Sequence, residues 1–327
     1  MCIRDRVNPY DQREFNLPDW ADSRIPLWTL RAEYSPTVDS ALQLLFIPDF
    51  EPHYYAPVGS PFYYRKFERF ERLRAQGFRV DIDADHPAQT FRNARVGLRW
   101  LDVRGGWQYT LNFLHGPSTT PGYYLKGIEF VRRQVAPGVW VSIPRTFRFL
   151  RQYEPVEIVG GSFAKTFTAG PLQGITFKGE MAWVHNQPAS TTAGRTVDID
   201  QFNYVLGLEK YVVTNWLVSA QFFQFINSPG EYRGHRFTNP AGGPQDQVEN
   251  MLSLKVATDF LHERLKPEVL VVYEDDGGWW VRPRAFYEVN DRVTLRVGLN
   301  LFAGRSDRLL GEFHRDDQAF VEVRYGF

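Results

Sequence analysis

The stretch Val293-Thr294-Leu295-Arg296-Val297-Gly298-Leu299-Asn300-Leu301 decides the fold. Val293, Leu295, Val297, Leu299 and Leu301 are apolar, and the residues between them are polar or small. A period of two is the signature of an extended strand with two unlike faces. A helix would instead repeat its apolar residues at three- and four-residue spacing. Downstream, the chain ends with Ala319, Val321, Val323, Tyr325 and Phe327 alternating with Glu322, Arg324 and Gly326. Upstream, Trp279 to Val289 reaches the quoted stretch through the tight Asn290-Asp291-Arg292, which predicts a hairpin.

The same alternation recurs toward the N-terminus. Trp28, Leu30, Ala32 and Tyr34 share one face, and Leu42, Leu44 and Phe46 return beside them after Ser35-Pro36-Thr37-Val38-Asp39. Val96, Leu98 and Trp100 point one way, and Arg95, Gly97 and Arg99 the other. Trp107, Tyr109, Leu111 and Phe113 follow. Residues 158–168 and 175–183 pair around Ala169-Gly170-Pro171, with Met181 and Trp183 outward and Lys178 and Glu180 inward. Further pairs join 202–208 to 216–222 and 252–256 to 269–273. Residues 123–150 alternate poorly, yet two strands meeting near Pro137-Gly138 are expected. The turns near Ser35, Asp102, Ala169, Val213, Leu261 and Asn290 are short, and the connections between them are long. The expected fold is all-β, an antiparallel transmembrane (outer-membrane) β-barrel, with short turns on one side and longer loops on the other. Counting gives about fifteen strands, and closed single-chain barrels hold an even number, so a strand before residue 25 is expected to be missing.

Composition agrees. Aromatic residues make up 16% of the chain, as girdles at two membrane interfaces require. Mean hydropathy is −0.38, and no run of roughly 18 apolar residues offers a membrane helix. Lys and Arg number 38 against 38 Asp and Glu, which argues against a nucleic-acid partner. The lone Cys2 excludes an internal disulfide. Residues 1–6 lack an apolar signal region and read as a stray extension. Residues 1–24 are taken as extension and entry segment, and 25–327 as barrel.

The run Phe15-Asn16-Leu17-Pro18-Asp19-Trp20-Ala21-Asp22-Ser23-Arg24-Ile25-Pro26-Leu27-Trp28, the hairpin cadence and the terminal Phe327 carry a resemblance. A closing strand ending on Phe resembles that of bacterial outer-membrane barrels, where it is also the address for the barrel assembly machinery. The chain as a whole resembles a large Gram-negative outer-membrane family of unknown function, encoded beside RND-type exporters and a LolB-like periplasmic lipid carrier. That family is longer, which implies an absent N-terminal portion. The resemblance brings no catalytic motif. It implies a setting of outer-membrane lipid and lipopolysaccharide, and a hydrophobic or lipid-like solute.

Two groups of candidate residues follow. On the inward face stand Arg95, Arg99, Lys178, Glu180, Lys255, Asp259, Arg282, Arg284, Arg296 and Arg324, with Glu268, Glu288 and Glu322 among them. They either line a solute path, with the Arg cluster engaging an anionic head group, or form an ion-pair lattice that stiffens the wall. The insertion 49–89 holds Tyr54, Tyr55, Tyr63, Tyr64, Phe67 and Phe70. Phe67, Phe70 and Leu73 form an apolar stripe in a charged helical run from Arg65 to Gln76. That loop either caps the pore, packs on the rim, or lies on lipid as an interfacial helix.

Catalytic and metal signals are weak. Glu274-Asp275-Asp276 before Gly277-Gly278 has oxygen ligands for calcium, but a solvated hairpin loop is the favoured reading. His115 with Ser118, or His185 with Ser190, are conceivable Ser/His pairs. No enzyme activity, cofactor or metal is expected. The functions compatible with the sequence are a channel for a hydrophobic or lipid-like solute, a general or oligosaccharide porin, and a surface scaffold or adhesin.

Overall fold

The alternating stretches become strands because an extended backbone throws successive side chains to opposite faces. The computed structural model describes residues 7–15, 17, 22–88, 90–275 and 277–326. Cys2, Asn16, Pro18 to Ala21, Gln89, Asp276 and the terminal Phe327 lie outside them. In chain order the first strands are β1 (Asp11–Gln12), β2 (Leu30–Thr37), β3 (Ser40–Ile47) and β4 (Tyr54–Tyr55). Helix α1 (Glu68–Ala75) precedes β5 (Arg79–Ala84), β6 (Arg95–Arg104), β7 (Trp107–Pro117), β8 (Gly122–Ala136) and β9 (Val139–Gln152). Then come β10 (Pro155–Thr166), β11 (Ile175–Ser190), β12 (Thr196–Val213) and β13 (Trp216–Asn227). After the short α2 (Pro229–Gly234) follow β14 (Val248–Ala257), β15 (Leu265–Glu274), β16 (Trp279–Asn290), β17 (Val293–Ala303) and β18 (Gln318–Tyr325).

Thirteen strands form one antiparallel sheet, in the order β18-β17-β16-β15-β14-β13-β12-β11-β10-β7-β6-β3-β2. Apart from the omission of β4 and β5 between β3 and β6, and of β8 and β9 between β7 and β10, neighbours in the sheet are neighbours in sequence, as hairpins dictate. No ladder joins β2 to β18 among the described residues, so closure into a ring is not seen.

One face of this sheet is an apolar belt. Leu42, Leu44, Val96, Leu98, Leu111, Val159, Met181, Leu206, Leu208, Leu252, Leu254, Val269, Val297, Leu299, Val321 and Val323 are all exposed. The residues between them turn inward: Asn300 is 0% exposed and Arg296 9%, while Val297, Leu299 and Leu301 between and beside them are about 40% exposed. This inverts the arrangement of a water-soluble protein, in which polar groups are mostly exposed and buried ones must be paired. A patch so wide calls for a covering medium. Exposed aromatics flank it, with Tyr211, Trp216 and Tyr325 near the short turns and Trp183 and Trp279 toward the long loops. No helix among the described residues is long and apolar enough to cross a membrane.

The structure corrects the strand count. β7 pairs directly with β10, from Trp107 opposite Lys165 to Pro117 opposite Pro155. β8 and β9 therefore leave the wall and pair with each other, and β5 runs parallel beside β9. Their sequence explains the exclusion. Arg132 and Arg133 are consecutive, so neither face of β8 can stay apolar, and an Arg facing lipid at mid-depth costs about 2–4 kcal/mol. The tip is exposed on both faces. A two-residue turn replacing 126–148 is expected to leave the folded wall intact. Heat-dependent electrophoretic mobility checks this: a variant that runs only as unfolded chain would put β8 and β9 back in the wall.

The entry segment belongs to the interior. Residues 7–15 run along the inward face of the sheet. Val7 packs on a cluster from β7, β10 and β11 that includes Leu114, Ile158 and Val184. Phe15 packs on Trp280 and Phe302 of β16 and β17, at ring distances of 5.8 and 6.0 Å. One short segment thus touches β16 and β17 near one end of the strand order and β7, β10 and β11 in its other half, so the sheet curls around it.

Candidate functional site

The interior is built in two halves. Toward the short turns it is a lattice of charges. Glu268 on β15 accepts from Lys255 on β14 at 2.9 Å and also pairs with Arg284 on β16. Lys178 meets Glu209 at 3.0 Å, and Arg296 meets Glu322 at 3.0 Å. Arg324 contacts Asp22 at 3.2 Å and Glu322 at 3.4 Å. Arg282 lies 5.0 Å over the Trp280 ring. Arg99 stands in register with Gln43 and Asn112, and Glu180 with Ser162 and Val205. Asp259 departs from expectation. β14 ends at Ala257, which leaves Asp259 in the following turn, where it accepts from Asn215 at 3.1 Å. Cross-strand pairing accounts for Lys178, Lys255, Arg284 and Arg296.

Toward the long loops the interior is a packed plug. Loop 49–89 folds inward. β4 pairs parallel with β1, and Phe62 and Tyr64 join Phe15, Trp280, Phe302, Leu310 and Phe313 in one buried cluster. Leu310 and Phe313 come from the last loop, 304–317, so two loops and the entry segment share one core. Phe70 on α1 packs against Phe149 and Tyr123, each at 5.1 Å. The apolar stripe of α1 therefore faces the β5-β9-β8 sheet and is not laid on lipid.

Between plug and wall lies a cavity of about 460 Å³. Tyr55, Lys66, Phe67 and Arg69 bound it from the loop, and Arg95, Ile158, Ile199 and Phe225 from the wall. Of the six loop aromatics, Tyr55 and Phe67 face it. Tyr54 is exposed on β4, Tyr63 lines a neighbouring cleft, and Tyr64 and Phe70 are packing residues. Of the inward charges, Arg95 alone lines it. Arg95 is 2% exposed, and its Nη1 donates to the carbonyl of Val7 at 2.7 Å. Gly116 makes room for it: φ is +145°, and a Cβ there would lie 2.6 Å from Arg95 Cγ. His53 ties the entry segment in place. Its Nδ1 accepts from the Tyr10 amide at 2.8 Å, which puts the ring proton on Nε2, 2.8 Å from Thr119 Oγ1.

Lys66 and Arg69 were not singled out by sequence reading. Lys66 Nζ sits 5.6, 5.5 and 5.1 Å from the ring centres of Tyr55, Tyr64 and Phe67, a three-ring cation–π cage. Burial pushes its pKa down to about 8. Glu312, held by the Arg65 amide at 3.1 Å, is pushed by burial up to about 8.

The two shifts set a pH dependence for the plug. Glu312 titrates higher folded than unfolded, so its contribution is full below about 4.5 and declines as pH rises to about 8. Lys66 titrates lower folded, so its own contribution changes only between about 8 and 10.5 and grows as pH rises. Plug packing is expected to weaken from pH 5 to pH 8. Limited proteolysis of loop 49–89 should speed up over that range in the native protein and change little in Glu312→Gln. Equal acceleration in both would exclude Glu312 as the cause.

The alternatives raised by the sequence are placed as follows. Glu274 Oε2 accepts from the Leu310 amide at 3.1 Å, and Asp275 accepts from Asn250 at 2.6 Å. No cluster of metal-ligating side chains occurs among the described residues. His115 turns to Glu157 at 3.4 Å, and Ser118 Oγ donates to the Thr120 carbonyl at 3.0 Å. His185 meets Asp200 at 2.6 Å.

The family described as "Protein of unknown function (DUF1302)" matches residues 2–238. The chain belongs to this family. The match takes in the Asp22 to Trp28 run, the plug loop and the wall as far as β13. No curated protein matches the chain. Among solved structures it is similar to the FrpB iron transporter from Neisseria meningitidis (F3-3 variant), at 10% identity and a TM-score of 0.41. That likeness covers 91% of this chain and 54% of the other, so the chain spans about half that protein's length.

Proposed function

We propose that this DUF1302 protein sits in the bacterial outer membrane and passes a hydrophobic or lipid-like solute. The observation that carries the reading is the thirteen-stranded wall, apolar outside and polar within, with a cavity under an aromatic loop. A porin needs a continuous polar lumen, and the buried cluster around Phe15, Phe302 and Phe313 works against one. A scaffold has no use for a cavity of solute size, and ligand sites are commonly of this volume, about 300–1,000 Å³. In this reading the plug loosens or shifts during passage. An RND-type exporter and a periplasmic lipid carrier are the proposed partners, on family resemblance alone.

The test is uptake into vesicles bearing the purified protein, with a fluorescent hydrophobic solute against a sugar of similar mass. Uptake of the first without the second supports the proposal. Sugar uptake favours the porin, and neither favours the scaffold.

A further inference from the structure

The cavity is one-sided in charge. Lys66, Arg69 and Arg95 line it, and no Asp or Glu is among the lining residues. The chain as a whole has equal numbers of acids and bases, and elsewhere in the interior the two signs meet in pairs. Arg69 illustrates the difference. Its guanidinium lies 4.7 Å over Phe70 and 5.6 Å over Tyr123, its Nε is buried with no hydrogen-bond partner, and no carboxylate pairs with it among the described residues. Lys66 is caged by rings, and Glu312 acts on it electrostatically without forming a salt bridge. The buried, unpartnered Nε of Arg69 is costly unless something supplies an acceptor. The same cavity is lined from the wall by the apolar Val156, Ile158, Ile199 and Phe225, among polar Gln201 and Asn227.

We propose that the cavity binds an amphiphilic organic carboxylate. Its head group meets Lys66 and Arg69, and its hydrocarbon body lies along Ile158, Ile199 and Phe225. An acid-free rim attracts the anion and disfavours cationic amphiphiles. The rings around Lys66 keep the ammonium desolvated, which strengthens its attraction for an incoming carboxylate. This assignment names the solute class for the transport reading and rests on it for its purpose.

The probe is 11-(dansylamino)undecanoate, with its methyl ester as the uncharged twin, added to the full-length protein in lipid nanodiscs. Dansyl fluorescence reports binding above that of empty nanodiscs. The acid is expected to bind at least tenfold more tightly than the ester. Lys66→Gln and Arg69→Gln are each expected to weaken the acid about tenfold, or about 1.4 kcal/mol, with ester binding unchanged. Two separate variants guard against misfolding of one, and heat-dependent mobility confirms the fold of each. Equal binding of acid and ester, no binding above empty nanodiscs, or acid binding unaffected by both substitutions would overturn the proposal. Vesicle uptake of the same probe separates the two readings. Binding without uptake keeps the site and removes transport, and uptake without selective binding keeps transport and removes the site.

Discussion

Glu268→Ala is expected to cost about 3–5 kcal/mol of stability, the largest loss among single substitutions in the wall. Glu268 sits between two cations, with Lys255 at 2.9 Å on one side and Arg284 on the other. The Glu268 and Arg284 side chains are each only 10% exposed. Removing the carboxylate leaves two inward cations facing each other across one strand. Lys255, 38% exposed, can turn to water, but Arg284 cannot do so without breaking strand packing, because β14, β15 and β16 are neighbours in an unbroken ladder. Urea unfolding in lipid vesicles, followed by tryptophan fluorescence, measures the loss. The triple change Lys255→Met, Glu268→Leu, Arg284→Met is expected to recover most of it, since well-packed apolar groups often replace a buried ion cluster without penalty. If Glu268→Ala unfolds within 1 kcal/mol of the native protein, the lattice is solvated and contributes little.

The second large effect is on the outer face. Leu254 is exposed at mid-strand on β14, opposite Ala220 and Val271. It lies between the aromatics near the short turns and those toward the loops. Leu254→Arg is expected to cost about 2–4 kcal/mol in a bilayer. Val213→Arg, at the short-turn end of β12 where Val213 is 65% exposed, should cost only about 0–1 kcal/mol. The gradient with depth separates a lipid-facing surface from a water-facing one, on which both changes would be nearly neutral. Equal small costs at the two sites would mean that water, not lipid, covers the belt.

The wall was legible because its physics leaves a period. A residue facing lipid must be apolar and its neighbour facing the interior need not be, so thirteen strands announce themselves by alternation. Val297, Leu299 and Leu301 against Arg296 and Asn300 show it at every position. The plug left no such trace. Phe15, Phe62, Tyr64 and Phe313 meet in one core from three separate loops, and irregular backbone imposes no spacing that links them. Residues 123–150 read as wall because they are long and extended, and their consecutive arginines were the signal against it.

The inward charges were found by phase, but pairing and site-lining look alike in sequence. Lys178, Lys255, Arg284 and Arg296 proved to be paired on neighbouring strands, which only register reveals. Lys66 and Arg69 were hidden for the opposite reason. Glu68 and Glu71 lie beside them in the chain, so the run reads as balanced. In the fold Glu71 turns to Arg74, and the two cations are left facing the cavity.

The most direct test is a scan of residues 293–301. Single cysteines, in a Cys2→Ser background, would carry a fluorescent label in vesicles of brominated lipid. The account predicts strong quenching at Leu295, Val297, Leu299 and Leu301 and weak quenching at Thr294, Arg296, Gly298 and Asn300. Uniform quenching, or none at any position, would contradict a wall with lipid on one side and a filled interior on the other.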